Sequence, residues 1–149
     1  MPLANKAYLQ VNQAIFSLSH SYESRMAREE TQNTLGLKLS DCSVLMVLGQ
    51  FAPLNARRLS ELMDINPGTI SVYVQRLVEM GLVVKEQSAE DRRNWQLTLT
   101  EAGQAAAQRV IGSAVDYTCD FLAALNHHEQ RTFHRLLLKA AHALGFDWL

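Results

Sequence analysis

Two cysteines, Cys42 and Cys119, are all that 149 residues contain. They are too few and too far apart for a disulfide framework or a zinc finger, so reduced thiols are expected. No apolar run approaches the roughly 18 to 20 residues that a membrane span requires. The opening MPLANKAYLQ has no basic region ahead of an apolar core, so no secretory signal is expected and the chain reads as cytoplasmic. Basic excess is also missing. The formal net charge is -1, which speaks against the strongly basic domain that is the simplest mark of nucleic-acid binding. Between Asn55 and Trp95 the six basic residues Arg57, Arg58, Arg76, Lys85, Arg92 and Arg93 are matched by six acidic ones. A positive face can arise there only from placement. Internal repeats, low-complexity tracts and linkers are lacking. So is any nucleophile, paired-carboxylate or phosphate-loop arrangement, which argues against an enzyme and against a bound cofactor.

What is present is a run of amphipathic segments long enough, at 48% apolar residues, to bury one core. From Asn5 to Leu35 the apolar residues Tyr8, Val11, Ile15, Leu18, Tyr22 and Met26 recur every three or four positions, predicting one long helix ended by Gly36. Ser40 is a candidate cap for a second, mostly buried helix, SDCSVLMVLGQF. After Pro53, Asn55 caps a short helix with Leu59, Leu62 and Met63 on one face and Arg57 and Arg58 elsewhere. Asn66 followed by Pro67 marks the next helix start, since asparagine caps and proline fits the first helical position.

At 100° per residue, Ile70, Val74 and Leu77 of that helix share a face and should be buried. The opposite face carries Gly68, Val72, Gln75 and Glu79, flanked by Thr69, Ser71 and Arg76. Beyond Gly81 the period changes to two: LVVKEQ and WQLTLT predict a β-hairpin with the tip SAEDRRN. Thr100 and Asn126 then cap two long helices, the second expected to end at Gly145. Their apolar residues exceed what a helical hairpin hides, so the terminal helices are expected to meet a second subunit.

Two short helices joined by a tight turn and followed by a hairpin give the order of a winged helix-turn-helix. Such a unit suits duplex DNA because the major groove admits a helix and the minor groove a slender basic tip. The stretch RLSELMDINPGTISVYVQRLVEMGLVVKEQSAEDRRNWQLTLTEAG resembles the MarR family of bacterial transcription regulators. The specific elements are Leu77, Gly81, Leu82 and Val83, then Asp91 and Arg93, then Leu99, Thr100 and Gly103. The expected fold is mainly α with a small β-hairpin wing. One domain over 1–149 would comprise a winged-helix core at about 37–100 and dimerisation helices at about 5–36 and 101–149.

The resemblance implies a ligand-responsive regulator, usually a repressor, binding a pseudo-palindromic operator as a homodimer. It casts Arg93 as the minor-groove arginine, oriented by Asp91, with Arg92 serving instead or beside it. In the recognition helix Gln75 suits adenine and Val72 a thymine methyl. The family often carries arginine where this chain has Val72, so base reading is expected to rest more on Thr69, Ser71 and Gln75. Arg57, Arg58, Ser71 and Arg76 are candidate phosphate contacts.

The resemblance also implies an effector, commonly a small aromatic or phenolic molecule, held between the dimer-forming helices and the DNA-reading unit. Tyr22, Met26, Cys42, Met46 and Tyr117 are the candidate lining, and plain core is the competing role for each. Thiol sensing through Cys42 is an alternative; Cys119 sits in an apolar stretch and reads as inert. His127, His128, His134 and His142 lack a ligand spacing, so no metal site is expected. A winged-helix module that binds protein rather than DNA is the rival function, motivated by the near-neutral charge and Val72.

Overall fold

The computed structural model describes residues 4–28, 34–88 and 94–146. Its elements in order are α1 (Asn5–Met26), α2 (Leu39–Phe51), α3 (Ala56–Met63), α4 (Pro67–Glu79), β1 (Val83–Gln87), β2 (Trp95–Leu99), α5 (Glu101–Leu122) and α6 (His127–Ala143). This is the mainly helical chain with a hairpin wing that the periodicities predict.

The starts of four helices are where capping chemistry puts them. Asn55 Oδ1 accepts from the Arg58 amide at 2.7 Å, Asn66 Oδ1 from the Gly68 amide at 2.8 Å, and Thr100 Oγ1 from the Gly103 amide at 3.0 Å. Asn126 and Glu129 form a reciprocal capping box.

Three expected boundaries move. The helix expected over Asn5 to Leu35 ends at Met26. Met26 is the last member of its apolar stripe; the following positions on that stripe are Glu29, Glu30 and Asn33, which offer nothing to bury. Gly36 does close a helical turn at 34–35 with a left-handed φ of 64°. Ser40 is not the cap of α2, because the helix begins a residue earlier, and the Lys38 amide donates instead to Asp41 Oδ2 at 2.7 Å. The last helix stops at Ala143, and Gly145 follows in positive φ.

The core is built by α2, α3, α4 and the first half of α5 around Leu45, Leu48, Leu59, Ile70, Val74, Leu77, Leu97 and Val110, all essentially inaccessible. The hairpin is antiparallel, with Val83 opposite Leu99 and Gln87 opposite Trp95. Leu54 adds a bridge on its free edge, exchanging both backbone hydrogen bonds with Leu97. This single residue of a third strand ties the α2–α3 loop to the wing.

The junction between α4 and α5 explains several residues of the family pattern. Gly81 ends α4 at φ 72°, a conformation that costs other residues a Cβ clash. The Thr100 hydroxyl donates to Gly81 O at 2.7 Å while it caps α5, and the Thr100 amide donates to Leu82 O at 3.1 Å. Gly103 lies against the same carbonyl: a Cβ there would stand 1.9 Å from Leu82 O. The exit of α4 and the entry of α5 are thereby one hydrogen-bonded corner.

Candidate nucleic-acid interface

α4 is held by its inner face and open on its outer one. Ile70, Val74 and Leu77 are buried, while Gly68, Thr69, Ser71, Val72, Gln75 and Glu79 are exposed. Val72 is 66% exposed, too much for a valine that stabilises the chain's own core. Ser71 Oγ donates back to Pro67 O at 3.0 Å, and Gln75 Nε2 donates to Glu79 Oε1 at 3.0 Å. That second bond holds the Gln75 amide across the outer face, with Oε1 left to accept.

A cleft of about 650 Å³ runs along this face, lined by Lys38, Ser71, Val72, Gln75, Arg76, Glu79 and Lys85. Lys38 and Lys85 are the cations that sequence reasoning did not place there. Lys38 lies at the entry of α2, 34 positions before Val72, and only the packing of α2 on α4 brings it alongside. Lys85 also lines a neighbouring cleft with Ala56, Trp95 and Leu97, so the wing stem continues the α4 surface.

The arginines divide. Arg57 and Arg58 are exposed on α3, and both bond Glu61, at 3.1 and 3.2 Å. Hydrogen bonds from Arg58 and then Arg57 hold the Glu61 carboxyl below the usual glutamate range. Exposed pairs of this kind contribute little to stability and open readily, so both guanidiniums can reach a phosphate. Arg76 is differently placed. Its Nε donates to the fully buried Asp41 at 2.9 Å and its Nη2 to Gly36 O at 2.8 Å. The expected phosphate contact thus has two of its three nitrogens bonded within the chain, the bond to Asp41 buried and the one to Gly36 O at the surface. Asp91, Arg92 and Arg93 lie outside the described residues; the Ser88 amide bonds Asn94 O at 2.8 Å where the strands meet the tip.

The candidate effector residues do converge, at the junction of α1, α2 and α5. The Tyr22 and Tyr117 rings meet edge to face at 5.4 Å, and Tyr22 OH donates to Met46 Sδ at 3.6 Å. Met26 and Cys42 are each 1% exposed. Burial, and then the nearby Cys42 thiol, push the Tyr22 phenol above its ordinary value. Tyr117 OH donates to Leu18 O at 3.0 Å, and the Arg25 guanidinium lies 5.8 Å from the Tyr117 ring centre. Cys42 is buried, as its dense apolar helix predicts and against the thiol-sensing alternative, whereas Cys119, read as inert in an apolar stretch, is exposed. Among the described residues, no three His, Cys, Asp or Glu side chains gather where they could hold a metal ion, and no helix is long and apolar enough to cross a membrane.

A capped helix with a core-facing and an open face, preceded by α3 and followed by a hairpin, defines a winged helix-turn-helix protein. Known proteins narrow this. The sequence profile of the MarR family matches residues 35–94. The HTH-type transcriptional repressor Mb2911 of Mycobacterium bovis is 30% identical over 113 residues, 76% of this chain and 78% of that protein.

In fold, the chain resembles a MarR transcriptional regulator from Methanosarcina mazei (TM-score 0.78, 21% identity, 93% of this chain and 98% of the other). It also resembles a MarR protein from Peptoclostridium difficile (TM-score 0.81, 19% identity, 99% and 95%). The chain belongs to the MarR family. It is a DNA-binding winged-helix transcriptional regulator, and its relatives are regulators rather than enzymes.

Proposed function

We propose that the chain is a homodimeric repressor that reads a pseudo-palindromic operator, with one α4 in each of two successive major grooves. The observation that carries this is the outer face of α4: Thr69, Ser71, Val72 and Gln75 stand clear of the chain's own packing, with Lys38 and Lys85 beside them. A valine for the thymine methyl, an amide for adenine and hydroxyls for either edge form a reading surface, and the lysines supply phosphate contacts. Arg57 and Arg58 add cations on α3. By family resemblance Arg93, with Asp91 and Arg92, supplies the minor-groove contact.

The dimer is supported by apolar surface that the chain leaves open. Tyr8, Leu9, Val11, Ile15 and Phe16 of α1 and Leu136 and Leu137 of α6 are each at least half exposed, and α6 buries no residue at all. A single copy does not hide such stripes; a second copy related by a twofold axis does. Repression follows the naming of the Mycobacterium bovis relative. For the effector, the cluster of Tyr22, Met46 and Tyr117 is the candidate site for a small aromatic or phenolic molecule, with the buried Met26 and Cys42 as further candidate lining. Peroxide sensing through Cys42 is disfavoured because the thiol has no access to solvent.

Selection of bound sequences from random duplex DNA tests the proposal. An inverted repeat with half-site centres about 10 base pairs apart, or a multiple, is the expected result. Recovery of no sequence would transfer the outer face of α4 to a protein partner.

A further inference from the structure

Arg76 lines the outer cleft with 37% of its side chain accessible, yet it is the sequence-predicted phosphate contact whose guanidinium is tied to another element, and its partner is unusual. Asp41 has no accessible surface, and its Oδ2 accepts from both Arg76 Nε at 2.9 Å and the Lys38 amide at 2.7 Å. Its Oδ1 is buried without a hydrogen-bond partner among the described residues. The other arm of Arg76 reaches Gly36 O at 2.8 Å, where the chain reverses at φ 64°. One guanidinium therefore spans the recognition helix, the first turn of α2 and the turn that leads into it.

A buried carboxylate is tolerated only when it is paired, so this arrangement is held by a large penalty for breaking it. No comparable contact ties this flank of α4: the neighbouring outward residues Val72, Gln75 and Glu79 bond only within α4 or not at all among the described residues.

We propose that Arg76 and Asp41 are positioning residues for DNA reading, and that Arg76 neutralises no phosphate. Together they set the rotation of α4 about its axis, and hence where Val72 and Gln75 point. The pair also places α4 under the control of the turn at Gly36, through which the chain passes on its way from α1. This inference rests on the DNA-reading proposal above.

The test uses the full-length chain, a duplex recovered by selection on it, and a scrambled duplex of equal length. Affinities are measured from about 50 to 200 mM salt, where each lost phosphate contact lowers the slope of log affinity on log salt by about one. Asp41→Asn removes the charge that holds Arg76 while keeping shape. It is expected to weaken binding to the selected duplex by about tenfold or more, with binding to the scrambled duplex and the salt slope unchanged. Adding Arg76→Gln to Asp41→Asn is expected to leave the slope where it was.

A merely structural role would lower the fraction of active protein in a stoichiometric titration and leave the affinity of the remainder intact, which would overturn the proposal. So would a slope shallower by about one in the double variant, or unchanged or tighter binding by Asp41→Asn. Should Asp41→Asn not fold, Asp41→Glu, which shifts the carboxylate by one methylene, serves in the same comparisons. Failure of the DNA reading is separately visible, as absence of any selected duplex for the unaltered chain.

Discussion

Gln75 and Tyr22 show how single side chains are set for different tasks. The Gln75 amide is held across the outer face of α4 by Glu79, so under the proposed DNA reading it would meet a base edge already oriented and exchange that bond for one to adenine. Gln75→Ala is expected to cost about 1–3 kcal/mol of operator affinity and to relax selectivity at one base position, measured by competition among duplexes altered singly. Tyr22 is a stability determinant. Its phenol is raised above the ordinary value by burial first and by Cys42 second. An unfolded chain releases that proton near pH 10, the folded chain at higher pH. The contribution is therefore complete below pH about 10 and falls away as the pH climbs through the folded value. Denaturant midpoints measured across that range are expected to drop for the unaltered chain and to flatten for Tyr22→Phe.

At the scale of elements, the corner between α4 and α5 is the place where a small change has a large effect. Gly103→Ala adds a Cβ that would stand 1.9 Å from a backbone carbonyl. Ordinarily alanine favours a helix; here the overlap forces α5 away from Leu82, at a cost of about 1–3 kcal/mol. A lowered thermal midpoint with intact helical content is the expected observation.

Elements were also where the sequence was most readable. The 3.6-residue stripe of Ile70, Val74 and Leu77, the alternation of Trp95, Leu97 and Leu99, and the caps Asn55, Asn66, Thr100 and Asn126 are local signals, each decided by a few neighbouring residues. The errors came where distant residues decide. Ser40 has the chemistry of a cap, but Asp41, drawn inward by Arg76 from 35 positions away, takes the Lys38 amide. Lys38 and Lys85 join the α4 surface only after folding, and the exposure of Cys119 is one that no local pattern announces.

For the whole molecule, the open stripes on α1 and α6 dominate. Leu136 and Leu137 are 51% and 56% exposed. If they meet a second copy, replacing both with glutamate buries four unpaired charges per dimer, at a cost of about 2 kcal/mol or more for each central side chain. Leu136→Glu with Leu137→Glu is expected to sediment as a monomer and to lose cooperative operator binding while each subunit keeps its winged-helix fold. Tyrosine and methionine from α1, α2 and α5 meet where the proposed dimer region joins the core. An aromatic ligand entering there has to part Tyr22 from Tyr117, and so to part α1 from α5.

The shared hydroxyl of Thr100 makes α5 a lever. Because α4 ends on the same corner at which α5 begins, the two helices turn together, and any bending must occur elsewhere. α5 is 22 residues long, or about 33 Å at 1.5 Å per residue. A tilt of about 5° about its far end, beside the proposed dimer region, sweeps the corner through about 3 Å. That is close to the 3.4 Å rise of one base pair. In a dimer, the two levers move their recognition helices by opposite steps. In the proposed dimer, a rearrangement of a few degrees at the tyrosine cluster would then be enough to shift the pair of α4 helices out of phase with successive major grooves.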